Sequence, residues 1–221
     1  MAARKRSAQK PKARREARAK LTPRGGPKKP AKKPARHHLP HIAPELVDGH
    51  SYVRKLIREI PNFPQPGILF KDITPLLADP KAFHIVLDAI AERFMGEHID
   101  AVVGIESRGF IFGGALAARL NASFVPVRKP GKLPYRTDKV SYSLEYGESE
   151  LEMHRDSLSE GARVLVVDDL LATGGTAAAA GELVHRQGAY VAAYAFGVEL
   201  RSLGGRDRLV PTPVIAFLQY D

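Results

Sequence analysis

Cysteine and tryptophan are both absent from the 221 residues. Without cysteine there is no disulfide, no thiolate nucleophile and no cysteine-held metal, which fits a cytoplasmic setting. Long apolar runs are missing as well: no stretch approaches the roughly 18 residues of a membrane span. The N-terminus is basic but has no apolar segment behind it, so it does not read as a secretory signal. Acidic residues are nearly missing from residues 1–41, where 15 Lys or Arg face the single acid Glu16, a net of +14. The remaining residues carry a net of −4, so the overall +10 belongs entirely to this tail. Residues 1–44 also lack aromatics and hold few large aliphatics, while Pro27 to Ala35 is a low-complexity Lys/Pro/Ala run. A segment that buries so little apolar surface cannot offset chain entropy, and disorder is expected over 1–44. Its charge suits contact with nucleic acid or another anionic surface.

The most informative stretch is Val164 to Thr176, VLVVDDLLATGGT. Val164 to Val167 reads as a short buried strand, with Asp168 and Asp169 at its carboxyl end. Ala172, Thr173, Gly174, Gly175 and Thr176 form a small, hydroxyl- and glycine-rich turn that opens a helix. Such a turn aims unpaired backbone N–H groups at one point, and the helix dipole adds positive character there. That is a place for phosphate. The two carboxylates upstream suit hydroxyl donors or a hydrated cation. Phosphate beside vicinal hydroxyls describes a ribose 5-phosphate. No lysine lies between Asp168 and Arg186, which excludes a nucleoside-triphosphate loop, and no G-x-G-x-x-G occurs here, which excludes a dinucleotide fingerprint.

From residue 45 onward the chain reads as one α/β domain. The pattern predicts a helix over 48–60, with Tyr52, Val53, Leu56, Ile57 and Ile60 on one face, and a short strand at 68–70. Asp79 and Pro80 cap a helix whose buried stripe is Phe83, Val86, Leu87, Ile90 and Phe94. Strands follow at 101–105, 124–128, 164–167, 190–198 and 214–217, with helices at 110–120 and 176–187. Residues 129–150 read as a hairpin or mobile loop. Strands alternating with helices imply a mainly parallel twisted sheet flanked by helices, with ligands at the carboxyl ends of its strands. The histidines are scattered or lie in the tail, and no metal cage is expected from protein side chains alone.

Val166 to Thr176 resembles the phosphoribosyl-diphosphate motif of type I phosphoribosyltransferases. Further segments, Phe63 to Gly67 with Phe70 to Thr74, Glu106 to Phe110, Val127 to Pro134 and Tyr142 to Gly147, extend the resemblance to the adenine branch of that family over nearly all of 48–221. The resemblance implies the type I fold with a small N-terminal hood at about 45–78, a homodimer, and transfer of 5-phosphoribose from its 1-diphosphate to adenine with Mg2+ carried mainly by the substrate. It assigns the 5′-phosphate to 172–176 and the ribose hydroxyls to Asp168 and Asp169. Ser107 and Arg108, in a turn expected to hold a non-proline cis peptide at 106–107, would meet the diphosphate together with Arg128, Lys129 and Lys132. Leu69, Phe70 and Lys71 in the hood would meet adenine, their backbone matching its hydrogen-bonding edge and Phe70 stacking on the ring. Ala172 stands where hypoxanthine–guanine relatives carry an aspartate, so proton handling moves to Glu145, with Tyr146 beside it on a closing segment. A regulator on the same fold is the main rival, but residues 1–44 cannot build a folded DNA reader.

Overall fold

Two apolar faces on each central strand organise the molecule, which the computed structural model describes over residues 48–143 and 148–221. The expected disorder of residues 1–44 concerns residues outside this range. Five parallel strands form the main sheet: β3 (Ala101–Ile105), β4 (Ser123–Val127), β7 (Arg163–Leu171), β8 (Tyr190–Leu200) and β9 (Val214–Tyr220). Their order across the sheet is β4-β3-β7-β8-β9. Side chains alternate between two cores as the pleat requires. Val102, Leu165 and Val167 face one side, where α1 (Gly49–Arg54), α3 (Pro80–Ala91) and α4 (Gly109–Leu120) pack. Val103, Val164 and Val166 face the other, which α5 (Gly175–Arg186) covers with Ala177, Ala180, Leu183 and Val184. Because both faces are covered, the strands read as continuous apolar runs.

Two antiparallel ribbons flank the sheet. In the hood, β1 (Arg58–Pro61) pairs with β2 (Leu69–Asp72), placing Glu59 opposite Lys71. A short helix α2 (Thr74–Ala78) leads into α3. The second ribbon pairs β5 (Thr137–Ser143) with β6 (Glu148–His154) and packs on α5, with Val140, Leu151 and Met153 buried in the same core as the α5 alanines.

Several expectations need correction. The helix predicted over 48–60 ends at Arg54, and Arg58–Pro61 is a strand instead. The apolar spacing was real, since Val53 and Ile57 are buried, but pairing with β2 captures the second half. The strand predicted at 68–70 is displaced to Leu69–Asp72, and those at 164–167, 190–198 and 214–217 run further than expected. β7 keeps its hydrogen-bonded register with β8 out to Leu171, whereas its register with β3 ends at Val167. The cap of α3 is as expected: Asp79 Oδ1 accepts from the Ala82 N–H at 2.8 Å, and its Oδ2 accepts from the Tyr52 hydroxyl at 2.8 Å.

Candidate active site

Strand order decides where the site lies. From β3 the chain proceeds outward to β4, and from β7 it proceeds the opposite way through β8 to β9. The segments leaving the carboxyl ends of β3 and β7 therefore diverge and open a crevice between them. Glu106-Ser-Arg108 follows β3, and Asp168 to Thr176 closes β7, so the two motifs face each other. Ser107, Arg108, Lys129, Asp168, Asp169 and Thr176 line one cleft of about 380 Å3. Asp168 and residues 170–177 line a smaller hollow of about 80 Å3 that shares Asp168, Leu170 and Thr176 with it. A larger hollow of about 450 Å3 lies at the amino ends of the strands, around Asp100 and Ser157 to Ala162, and contains none of the motif residues.

The turn between β7 and α5 leaves backbone donors uncapped by any side chain of its own N-cap. Gly174 takes a left-handed conformation at φ 79° and precedes α5 without a side-chain cap. The first N–H groups of the helix therefore have no side-chain acceptor at the N-cap, an arrangement able to receive an anion. Thr173 is partly exposed beside them, and the Thr176 hydroxyl donates to the Tyr142 hydroxyl of β5 at 3.2 Å.

Asp168 and Asp169 are crowded together. Asp169 is buried, Asp168 partly so, and the Asp169 N–H donates to Asp168 Oδ1 at 2.8 Å. Burial, reinforced by the neighbouring Asp169 charge, pushes the Asp168 carboxyl well above the usual aspartate range. Arg108 Nε lies 3.0 Å from Asp169 Oδ2, an ion pair whose angle does not make a hydrogen bond. Asp169 Oδ2 is thus a buried acceptor with no donor among the described residues. The Arg108 guanidinium also lies 5.5 Å from the centre of the Phe70 ring, which places the hood beside the crevice.

The basic cluster has an organiser that the motif alone did not reveal. Arg128 Nε and Nη2 each lie 3.3 Å from the Glu106 carboxylate, the Lys129 N–H donates to it at 3.1 Å, and Lys132 Nζ donates to it as well. Burial acts to raise the Glu106 pKa, but the bonds from Lys132, Lys129 and Arg128 together outweigh it and lower it to about 2. The peptide joining Glu106 to Ser107 is cis, as the resemblance implied. On the far side of the same loop, the buried Glu152 accepts from the N–H groups of Lys132 and Leu133 at 3.1 and 3.2 Å. Among the described residues, Lys129 is the one member of the trio whose side chain has no carboxylate partner.

In the hood, Lys71 turns away from the crevice. Its ammonium pairs with Glu59 and lies 4.2 Å from the centre of the Tyr220 ring. Only its backbone remains for a base. Leu69 is exposed, and Phe70 stands edge-on to Phe63 at 5.1 Å. Among the described residues β2 pairs with β1 alone, so its outer edge keeps unpaired N–H and C=O groups. Glu145 and Tyr146 lie outside the described residues. Sequence reasoning missed Glu106, Glu152 and Tyr142 as parts of this site, although Glu106 and Tyr142 sat inside quoted motifs.

A phosphoribosyl transferase domain model matches residues 72–205. The chain is 71% identical over 158 residues to the adenine phosphoribosyltransferase of Sorangium cellulosum (strain So ce56), covering 72% of this chain and 79% of that protein. It is 58% identical over 165 residues to the adenine phosphoribosyltransferase of Roseiflexus sp. (strain RS-1), covering 75% of this chain and 96% of the relative. Among solved structures, the adenine phosphoribosyltransferase of Thermoanaerobacter pseudethanolicus matches with a TM-score of 0.75 at 47% identity, over 77% of this chain and 99% of that one. The Saccharomyces cerevisiae enzyme, complexed with D-2,5-dideoxy-2,5-imino-altritol 1,6-bisphosphate and adenine, matches with a TM-score of 0.73 at 42% identity, over 76% and 98% of the two chains. Motif, strand order and likeness agree, and the chain belongs to the phosphoribosyl transferase domain family, in its adenine phosphoribosyltransferase branch.

Proposed function

We propose that this chain transfers 5-phosphoribose from 5-phospho-α-D-ribose 1-diphosphate to adenine, giving AMP and diphosphate in purine salvage. The observation that carries this reading is the facing of the Asp168 to Thr176 turn and the Ser107–Arg108 turn across one crevice. The 172–176 backbone holds the 5′-phosphate, with the Thr173 and Thr176 hydroxyls as added donors. Asp168 and Asp169 accept from the ribose 2′- and 3′-hydroxyls, which gives the orphaned Asp169 Oδ2 a donor. Ser107 and Arg108 meet the diphosphate together with Lys129, which lines the same cleft and whose side chain has no carboxylate partner among the described residues. Arg128 and Lys132 support this loop by donating to Glu106 and would meet the diphosphate only with the N–H donors that Glu106 leaves unused.

Mg2+ fits the donor set: Asp168 and Asp169 are adjacent carboxylates with hard oxygen ligands, and Asp169 Oδ2 is buried without a donor among the described residues, so these two would hold the ion together with oxygens of the ribosyl donor. When bound, it supplies charge neutralisation on the leaving diphosphate. The protein's share is positioning and electrostatics: the C1′–O bond breaks, adenine N9 forms the new bond to C1′, and no covalent enzyme intermediate is required. Ala172 offers no carboxylate to the imidazole side of the base, so Glu145 relays the N9 proton, with Tyr146 packing at the same point. The free edge of β2 reads the adenine rim. Adenine presents a donor at N6 and an acceptor at N1, and hypoxanthine reverses the pattern, a mismatch that costs factors of about 10⁴ in a desolvated site.

No described helix is long and apolar enough to cross a membrane. Cytoplasmic location, a homodimer and contact of residues 1–44 with nucleic acid or an anionic surface complete the reading. The deciding assay offers adenine, hypoxanthine, guanine and xanthine in competition with the ribosyl donor. Adenine is expected to be consumed alone at low concentration; preferential use of another base overturns the assignment.

A further inference from the structure

The loop that receives the 5′-phosphate has no side-chain cap and turns through a left-handed glycine, so something outside it must hold its shape. That support is backbone. Gly205 lies so close beneath the loop that a Cβ on it would run into the Ala172 carbonyl oxygen and come within 2.9 Å of the Gly174 N atom. A Cβ on Gly174 would in turn meet the Gly205 carbonyl. Two backbone segments are in contact here, and only glycine fits on either side.

Gly205 begins the short 3-10 helix Gly205–Leu209, whose end is pinned by the buried Leu209. Its other anchor is Arg206. The guanidinium forks onto Glu199, with Nε to Oε1 at 2.9 Å and Nη2 to Oε2 at 2.6 Å, while Nη1 donates to the Val214 carbonyl at 2.7 Å. Glu199 is 3% exposed and also accepts from Gln219 Nε2 at 3.1 Å. Bonding from Arg206 holds its carboxyl below the usual range. Glu199 is, moreover, the cross-strand partner of Leu171, the last residue before the loop. The connections close a circuit: Leu171 to Glu199 by strand pairing, Glu199 to Arg206 by the fork, Arg206 to Gly205 along the chain, and Gly205 back to Ala172 and Gly174 by contact.

We propose that Arg206 and Glu199 are positioning residues for the 5′-phosphate loop, acting through the backbone of Gly205. Neither touches the substrate. Arg206 and Glu199 line a separate hollow with Gly204 and Asp207, and none of the 172–176 residues borders it. Their effect is on the placement of N–H groups that must meet phosphate oxygens within about 0.5 Å. A lysine in place of Arg206 keeps the charge but cannot reproduce the planar fork.

The proposal rests on the reading of 172–176 as the phosphate site, and the experiment separates the two. Steady-state kinetics with adenine and the ribosyl donor are measured for Arg206→Lys, Glu199→Gln and Gly205→Ala, with inhibition by ribose 5-phosphate as a second readout and thermal melting as a check on folding. Thr173→Val tests the loop itself. The expected result for the two side-chain variants is a donor KM raised about 10-fold or more, ribose 5-phosphate inhibition weakened in parallel, and kcat and adenine KM within about 3-fold of the parent. Gly205→Ala is expected to show the same split more strongly. If Thr173→Val loses donor affinity while folded Arg206→Lys and Glu199→Gln keep the parental donor KM, the positioning role is overturned. A loss of kcat and of both KM values together, with a lowered melting temperature, overturns it too, since that marks general destabilisation. If neither Thr173→Val nor folded Gly205→Ala changes donor KM or ribose 5-phosphate inhibition, the phosphate reading falls and this proposal with it.

Discussion

Asp168 carries a cost in the folded chain that its chemistry explains. Its carboxyl is desolvated and shares the strand end with Asp169, and both effects favour the protonated form. A carboxyl whose pKa is raised on folding binds its proton more tightly in the native state. Its contribution to stability is therefore fullest below the unfolded value of 3.8 and declines as pH rises through the folded value. An amide in this position carries no charge to desolvate or to set against Asp169. Asp168→Asn is expected to raise the melting temperature at pH 7, by roughly 2–4 °C for a gain of about 1 kcal/mol, while raising donor KM at least about 10-fold. Calorimetry together with donor titration checks both halves, and a lowered melting temperature contradicts the account. The acidic pair and the Gly-Gly turn were legible because adjacent residues carry the whole motif. The partner of Arg108 was not, since Asp169 is brought to it by strand pairing between residues far apart in sequence.

Elements were legible where periodicity and punctuation agreed. Asp79-Pro80 starts α3, and the fully apolar β3 has the bounds expected for it. The helix expected over 48–60 ends at Arg54, and from Arg58 on, where the β-branched Ile60 suits a strand, long-range pairing with β2 prevails over helical spacing. The loop carrying Arg128, Lys129 and Lys132 shows the same division. Its charge is plain in sequence, but its shape depends on two carboxylates, Glu106 from the end of β3 and Glu152 from β6. Since folding lowers the Glu106 pKa from 4.5 to about 2, its contribution to stability is complete above pH 4.5 and is lost as pH falls towards 2. Glu106→Gln is expected to lower stability at pH 7 and to flatten its pH dependence between 4.5 and 2. Denaturant titrations of parent and variant across that range measure it; parallel curves remove Glu106 as the loop's organiser.

At the scale of the whole chain, charge and chemistry are separable. Residues 1–41 hold a net of +14 and the rest a net of −4. The Roseiflexus relative aligns over 96% of its length with only 75% of this chain, so an enzyme of this branch needs little beyond the aligned part. All described site residues lie between Leu69 and Thr176, outside the basic segment. Removing residues 1–44 is therefore expected to leave kcat and both KM values within about 2-fold of the parent at 0.15 M salt, where surface charges further than about 8 Å apart are largely screened. The same deletion reverses the sign of the net charge. The full chain is expected to bind duplex DNA or heparin with an affinity that falls steeply as salt rises, and the truncated chain to lose that binding. Parallel kinetic assays and salt-dependent binding curves on the two proteins decide it. A large loss of kcat/KM on truncation would place the basic segment in the catalytic unit, whereas equal polyanion binding by both forms would move the anion-binding surface onto the folded domain.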